Sequence, residues 1–262
     1  MRYKILILAS ILLLLFTCCS CAVDPTTLTT VVTKTTWTTK TATATQTETA
    51  TLTETATVTE TFTATVITIK VKRTQHGDGK VAVLDMESEY LPVVVASENP
   101  EAPYESLKAQ AIAARTFAFF KKVYEPSSTL FDVYDYEIDQ VYDPARWDNL
   151  TPQKQEEIKR AVRETNGIIL RYANVIVCSC YVSGKTSTAQ YVTYNEGKSG
   201  NDITQTTLLN HSYPPSQTPH NRGCMGQIQA NALAAEQGYT CEQIIRYFYG
   251  EDIIIVKYSV YS

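Results

Sequence analysis

A threonine-rich tract between residues 26 and 68 limits, more than any other feature, what this chain can fold into. Threonine fills about half of these positions, and from Thr41 to Thr65 it stands at every second one. Strict alternation is typical of a strand, but a strand of that length would far exceed the usual range of roughly 3–10 residues. The residues between the threonines give the opposite face no consistent apolar character. We therefore predict a solvated, disordered stalk over residues 23–68.

Such a composition is typical of an extended stalk that carries O-linked glycans. Fully extended, the tract would reach about 140 Å at about 3.3 Å per residue. That length is enough to hold a domain well away from a membrane surface. A plain linker with no spacing role is the alternative that the composition leaves open.

Residues 1–22 contain the three parts of an export signal. Arg2 and Lys4 precede an apolar run over residues 5–16, and small residues such as Ala22 follow. This order matches the charged, apolar and small-residue regions of a signal peptide, and the apolar run is short for a membrane span. We therefore expect the chain to be exported to the cell envelope or the extracellular space.

Two alternatives would attach the chain to a membrane. A retained signal would act as an anchor. Cys18, Cys19 and Cys21 follow the apolar run, and the segment Leu15-Phe16-Thr17-Cys18 is similar to a bacterial lipobox, in which the cysteine receives a lipid. All three interpretations place the globular part outside the cytoplasm.

The globular part, residues 69–262, is long enough to bury a core without disulfides or metal ions. Hydrophobic periodicity and flanking breakers predict helices over 84–97, 103–124, 151–165, 227–237 and 241–249. β-rich runs predict strands over 168–172, 175–183 and 253–261, with 132–143 an edge strand or structured loop. Helices and strands are segregated rather than alternating, so we predict a single domain of the α+β class.

Charge and motif spacing exclude several functions. A net charge of -4 and a pI near 5.5 remove the broad attraction on which non-specific nucleic-acid binding depends. The three histidines lack metal-ligand spacing, and the acidic residues of segment 132–143 lack the EF-hand pattern. We interpret that acidic segment as a solvated face and expect no metal or other cofactor.

Four segments carry a resemblance to a known family. The most distinctive contains Ala96-Ser97-Glu98-Asn99-Pro100, followed by Leu107-Lys108-Ala109-Gln110-Ala111-Ile112-Ala113-Ala114-Arg115-Thr116. The others are Asp139-Gln140-Val141-Tyr142, residues 161–186 and residues 223–254. Together these segments resemble the SpoIID/LytB family, the sporulation stage II protein D and amidase-enhancer domain of bacterial envelopes.

The resemblance implies a function on peptidoglycan. Its sporulation members are lytic transglycosylases, which cleave between MurNAc and GlcNAc without water as the MurNAc 6-hydroxyl closes on C1. One carboxyl group can act first as the acid and then as the base, whereas ordinary glycosidases use two. The family's catalytic glutamate maps onto Glu98.

The residues around Glu98 agree with this role. The apolar run Val93-Val94-Val95-Ala96 precedes it and an alanine-rich helix follows, and such surroundings favour the neutral form of a carboxyl group. A glutamic acid that stays protonated near neutral pH suits the first step of the reaction. The alternative is an ordinary exposed glutamate at a helix end.

Other candidate site residues follow from the matching segments. Gln110 would orient Glu98 or bind a sugar amide, and Arg115 would bind a carboxylate of the lactyl-peptide; a core amide and a surface salt bridge are the alternatives. Tyr142 would stack on a sugar ring or serve in packing. The remaining predicted substrate-binding residues are Gln140, Ser183, Gly184, Thr186 and Gln227.

The sequence also departs from the family pattern. Segment 132–143 has neither cysteine nor histidine, so we do not transfer the zinc site of some members. Ile228 and Gln229 replace a tryptophan and a glycine, and the strand before Ser183 lacks a histidine. Cys178, Cys180, Cys224 and Cys241 allow three pairings after export, among which a bond from Cys178 or Cys180 to Cys224 would join the hairpin to the C-terminal motif.

Three functions remain in competition. The leading one is an exported peptidoglycan lytic transglycosylase acting on glycan strands. The second is a non-catalytic wall-binding module that stimulates a cell-wall amidase, which the altered C-terminal motif favours. The third is a stalked surface or adhesion protein, supported only by the threonine tract.

Overall fold

The computed structural model describes residues 26–43, 49–211 and 219–258. The predicted signal peptide, its cysteine cluster and the last residues of the predicted C-terminal strand lie outside these ranges. Within them the chain combines helices with small mixed sheets, so the predicted α+β class is confirmed. None of the helices in the described ranges combines the length and the apolar character needed to cross a membrane.

The threonine-rich tract has an extended backbone in two strands, β1 (Thr26–Thr43) and β2 (Thr49–Val66). They pair antiparallel, with Thr26 opposite Val66, and form a sheet of their own. A two-stranded ladder that shares no sheet with its neighbours is marginally stable at best in water. The tract thus adds no strand to the sheets of the core, and its spacing role stays a prediction.

The core begins with β3 (Thr68–Lys72) at the centre of a three-stranded sheet. It pairs antiparallel with β4 (Val81–Asp85) and parallel with the short β5 (Val133–Tyr134). β5 is the edge-strand part of the predicted segment 132–143, and the rest of that segment is loop.

The first predicted helix begins two residues later than expected. The Asp85 side chain accepts the N–H bonds of Glu87 and Ser88 and caps a π-helical turn, Met86–Tyr90. This turn continues into α1 (Leu91–Glu98), which ends before Asn99-Pro100 as predicted.

The central helix is α2 (Tyr104–Tyr124), with Pro103 at its N-cap as the sequence predicts. Its small residues lie in two apolar clusters. Ala111, Ala114 and Ala118 pack with α1 and β3, whereas Ala109 and Ala113 face the side that holds the last two helices. Alanine on both faces lets the backbones of neighbouring elements approach closely.

One further helix and a second sheet pack against α2, and a short helix packs against α1. α3 (Pro144–Asp148) and α4 (Pro152–Glu164) are capped by Asp143 and Thr151. β6 (Ile168–Tyr172) and β7 (Val175–Ile176) form the predicted hairpin, in which Ala173 and Asn174 both have positive φ angles. β10 (Ile254–Lys257) pairs with the other edge of β6. It is shorter than the predicted strand over residues 253–261, the end of which lies outside the described residues.

The predicted strand 175–183 is two strands in different sheets. After β7 the chain leaves the ladder, and β8 (Cys180–Val182) pairs parallel with β9 (Cys224–Gly226). β9 leads directly into α5 (Gln227–Gln237), and Gly238 with φ 68° separates it from α6 (Cys241–Tyr249), as predicted.

The aspartates of segment 132–143 do not form the solvated face that we predicted, because Asp132, Asp135 and the side chain of Asp139 are buried and only Glu137 among these four acidic residues is exposed. Asp135 is fully buried and accepts N–H bonds from Thr74, Gln75 and His76. The Asp139 carboxylate accepts from the Tyr134 N–H and lies 2.9 Å from Lys121 Nζ. Buried carboxylates need such partners, and here they hold the loops at one end of the β3 sheet.

The four cysteines of the described domain are free thiols. Cys178 Sγ lies 3.7 Å from Cys180 Sγ, and Cys180 stands opposite Cys224 in the parallel ladder. These three thiols are buried in the core and join the β8 region to β9 by packing.

Candidate active site

Glu98 is the last residue of α1 and lies partly exposed beside the loop that follows β5. Its Oε1 accepts a 2.8 Å hydrogen bond from the backbone N–H of Val141. The helix carries it there because residues 91–97 before it are buried, while Asn99 and Pro100 end the helix at this point. The structure therefore places the predicted acid in contact with the predicted Gln140–Tyr142 segment.

Burial raises the pKa of Glu98 above its ordinary value. Three partners oppose this effect: the Val141 N–H, the Gln227 side chain and the positive charge of Arg146. The Glu137 carboxylate adds a smaller upward contribution. Burial thus shifts Glu98 toward its neutral form relative to an exposed glutamate, while groups that stabilise its anionic form are already in place.

Gln110 and Gln227 meet on the inner side of Glu98. Gln227 Nε2 donates to Gln110 Oε1 at 3.3 Å, and the Gln227 side chain lowers the pKa of Glu98. Gln110 is fully buried, and its Nε2 has no hydrogen-bond partner among the described residues. The structure therefore places Gln110 in contact with Gln227, which is the residue of the two that acts on the pKa of Glu98.

Gln140 and Tyr142 are buried and do not form an exposed sugar platform. Gln140 is fully enclosed, with hydrogen bonds to Tyr90, Tyr181 and the Ala114 carbonyl. The Tyr142 ring stacks on Tyr90 with 5.6 Å between centroids and an interplanar angle of 14°. Tyr142 takes the packing role that was its alternative.

Arg115 is fully buried and is committed to a partner within the protein. Its Nε and Nη2 each lie 2.7 Å from a carboxylate oxygen of Glu87. Its three remaining N–H donors contact the carbonyls of Ala111, Val162 and Ile168. A guanidinium with these partners has no donor left for a substrate carboxylate. The structure therefore places Arg115 in a salt bridge with Glu87. The alternative interpretation was a surface salt bridge, whereas the Arg115 side chain is buried.

Ser183, Gly184 and Thr186 belong to the loop after β8. The Ser183 carbonyl accepts the N–H of Ile228 at 3.2 Å, which ties this loop to the first turn of α5. Gly184 has a φ angle of 75°, and a Cβ atom built there would lie 2.1 Å from Gln229 Oε1. Thr186 is exposed, so the loop presents a polar edge to solvent while its base is fixed to α5.

Arg146 is a site residue that sequence reasoning missed. It lies on α3, its Nη1 donates to the Ser97 carbonyl at 2.5 Å, and 55% of its side chain is exposed. Its Nε is 3.4 Å from Asp143, which also lies 3.4 Å from His76 Nδ1. No local pattern marks Arg146, because the contact depends on the short helix α3 packing against α1.

The chemistry of the site centres on the Glu98 carboxyl group, which has the Val141 N–H, the Gln227 amide and the positive charge of Arg146 around it. In the part of the chain that the structure describes, histidine, cysteine and carboxylate side chains form no group of three able to hold a metal ion. The polar groups near Glu98 suit proton transfer and the binding of a neutral, hydroxyl-rich ligand.

Residues 74–172 match the model of a protein family described as stage II sporulation protein (SpoIID). The matched segment contains Glu98, Gln110 and Gln140 and ends with β6. Ser183 and Gln227 lie beyond it, on the elements that complete the site. A comparison with curated proteins finds no match to this chain.

Proposed function

Because this chain carries a domain of the SpoIID family at residues 74–172, we propose that it is an exported lytic transglycosylase of peptidoglycan. The SpoIID domain indicates a function related to the cell wall or to sporulation. The specific reaction is our proposal, with glycan strands as the substrate and Glu98 as the single acid and base.

In the first step neutral Glu98 donates its proton to the glycosidic oxygen that links MurNAc to GlcNAc. The bond from MurNAc C1 to that oxygen breaks, and GlcNAc leaves with a new hydroxyl group. The raised pKa of Glu98 supports this step, because a larger fraction of the carboxyl groups is protonated at a given pH.

In the second step the Glu98 carboxylate accepts the proton of the MurNAc 6-hydroxyl as its oxygen bonds to C1. The product is a 1,6-anhydro ring, and Glu98 returns to its neutral form without consuming water. The Val141 N–H and the Gln227 amide would stabilise the carboxylate between the two steps.

One observation carries the proposal: Glu98 combines a burial that raises its pKa with preformed donors to its anion. A residue that must be an acid and then a base needs both forms to be accessible. We propose that glycan strands approach Glu98 along the loop after β8, where Ser183 is partly exposed and Thr186 is exposed. The export signal predicted from residues 1–22 would deliver the domain to this substrate.

The test is release of anhydro-muropeptides from purified sacculi, followed by mass spectrometry. We expect release by the parent protein and its loss in Glu98→Gln. Glu101→Gln is the matched control, because Glu101 is exposed and lies three positions further along the chain. Unchanged release by Glu98→Gln would remove Glu98 from the mechanism.

A non-catalytic module that stimulates a cell-wall amidase is the second candidate, and one contact favours it. Gln229, at the position where the resemblance implies a glycine, fills the space beside Gly184 and Gly226. The Gln229 side chain leaves less room beside the loop after β8, where a glycan would bind. Binding to sacculi and stimulation of an added amidase, without anhydro products from the parent protein, would support this function instead.

A further inference from the structure

The side chain of Gln140 joins three separate elements in the interior. Tyr90, from the π-helical turn before α1, donates its hydroxyl to Gln140 Oε1 at 2.8 Å. Gln140 Nε2 donates to the Ala114 carbonyl of α2 at 3.1 Å and to the Tyr181 hydroxyl of β8 at 2.8 Å. Gln140 is fully buried, so no solvent molecule needs to complete this set.

The partners determine which way the Gln140 amide faces. The Ala114 carbonyl can only accept a hydrogen bond, so it must face the amide nitrogen. The amide oxygen then faces Tyr90, which must donate, and the second N–H faces the oxygen of Tyr181. A flipped amide would place two oxygens against each other at Ala114. Gln140 is therefore held in one orientation.

This fixed side chain immediately precedes the peptide that contacts the candidate acid. The N–H of Val141 donates to Glu98 Oε1 at 2.8 Å. On the other side of Val141, the Tyr142 ring stacks on Tyr90, and the Tyr142 N–H donates to the Asp135 carbonyl. The Val141 peptide is thus held from both sides.

We propose that Gln140 is a positioning residue that, held by Tyr90 and Tyr181, aims the Val141 N–H at Glu98. This inference rests on the proposed function of Glu98 and gives Gln140 a role different from the substrate contact that the resemblance implies. The interaction is made to the backbone, so it stabilises the Glu98 carboxylate without adding charge to the site.

The two tyrosines support this role because they stay neutral. Burial raises the pKa of Tyr181 well above its ordinary value, and the charge of Glu98 adds to the effect. Burial also raises the pKa of Tyr90, with further contributions from Asp139 and Glu98. Because the tyrosines are neutral, they add no charge near Glu98. The charges of Arg146 and Glu137 act on the pKa of Glu98, together with the Val141 N–H and the Gln227 side chain.

The direct test is the pKa of Glu98, measured by NMR in the full chain with 13C-labelled glutamate. The Glu98 signal is assigned by its absence in Glu98→Gln. Gln140→Met keeps the volume of the side chain but removes its hydrogen bonds, and Tyr181→Phe removes one of them. We expect both variants to raise the pKa of Glu98. The increase should be about one pH unit if the hydrogen bond from the Val141 N–H to Glu98 is lost completely.

Tyr249→Phe is the matched control. Tyr249 is as buried as Tyr90, and its hydroxyl donates to the Cys180 carbonyl at 2.8 Å, next to Tyr181 but outside the Gln140 set. An unchanged pKa of Glu98 in Tyr181→Phe and Gln140→Met, or an equal change in Tyr249→Phe, would overturn the inference. Tyr181→Phe keeps the test valid if Gln140→Met fails to fold.

The same variants separate this inference from the proposed function. If the protein releases anhydro-muropeptides, the alkaline limb of its pH profile should move upward in Tyr181→Phe, with a larger effect on kcat than on KM. If it releases none, the NMR titration still reports whether Gln140 positions the Val141 N–H.

Discussion

Oε1 of Glu98 accepts the backbone N–H of Val141, a residue 43 positions further along the chain. This bond ties the end of α1 to the loop after β5 and lowers the pKa of the carboxyl group that burial raises. The two opposing effects bring the neutral and anionic forms of Glu98 closer in free energy than burial alone would allow. The pKa of Glu98 nevertheless stays above its ordinary value, so its titration should be visible in the stability of the protein.

The first prediction concerns the pH dependence of stability. The folded-state pKa of Glu98 lies above its unfolded value, so between the two values the folded state binds more protons and the free energy of unfolding falls as pH rises. Glu98→Gln does not titrate. From pH 4 upward the parent protein should lose stability relative to Glu98→Gln, by about 1.4 kcal/mol for each unit that separates the two pKa values. Urea unfolding at several pH values measures this difference, and a constant difference would contradict it.

The second prediction concerns Arg146. Its positive charge lowers the pKa of Glu98, so Arg146→Gln should raise that pKa further. The exposed position of Arg146 makes the effect small and sensitive to salt. NMR titration of Glu98 at low and high ionic strength should show a difference between parent and variant that shrinks with added salt. Arg163→Gln, on an exposed part of α4, is the control and should leave the pKa of Glu98 unchanged.

The third prediction concerns the buried ion pair of Arg115 and Glu87. Glu87→Gln leaves the fully buried Arg115 guanidinium without a counter-charge, so it should lower the free energy of unfolding by about 3–5 kcal/mol. Arg115→Met should cost less, because the Glu87 carboxylate that it leaves behind is 26% exposed and can be solvated. The exposed pair Arg163 and Glu156 provides the comparison, because Arg163→Met should cost about 1 kcal/mol or less.

Urea unfolding of these variants distinguishes a structural role of Arg115 from substrate binding. A loss of sacculus binding in Arg115→Met at unchanged stability would show that the residue contacts substrate after all. The structure leads us to expect the opposite, because the guanidinium has no solvent-exposed surface.

Elements with local signals were predictable from the sequence. Asn99-Pro100 ends α1, Gly238 separates α5 from α6, and Ala173-Asn174 turns the hairpin of β6 and β7. In each case a few adjacent residues restrict the backbone, so no distant contact is needed to place the boundary. The parallel pairing of β8 with β9 has no such signal, because Cys180 and Cys224 are brought together by the fold.

The candidate site was predictable only in part for the same reason. A motif match identifies Glu98, and its apolar neighbours indicate the direction of its pKa change. The motif does not reveal that Gln140 faces inward to Tyr90 and Tyr181, since all three residues come from separate elements. The matching segment predicted that Arg115 binds a substrate carboxylate, with a surface salt bridge as the alternative. Its partner Glu87 lies 28 positions earlier, on the π-helical turn, so no local pattern shows that the pair is enclosed.

The fourth prediction concerns Gly223, the residue before β9. Its φ angle is 126°, and a Cβ atom there would lie 2.3 Å from Thr193 Oγ1 and 2.5 Å from the Phe248 carbonyl oxygen. Gly223→Ala must displace β9, which leads directly to Gln227 beside Glu98. We expect a loss of stability. We also expect a higher pKa of Glu98, because the Gln227 side chain that lowers this pKa would move away.

Gly79→Ala is the matched control, because Gly79 has a φ angle of 74° but no atom within 4 Å of the added Cβ. That variant should lose only the backbone cost of a left-handed alanine, about 1–2 kcal/mol. Urea unfolding should show a larger loss of stability for Gly223→Ala. That variant has a backbone cost of the same kind, and its Cβ also collides with Thr193 and with the Phe248 carbonyl. Equal losses in the two variants would mean that β9 adjusts without strain, and the position of Gln227 would then not depend on the close approach at Gly223.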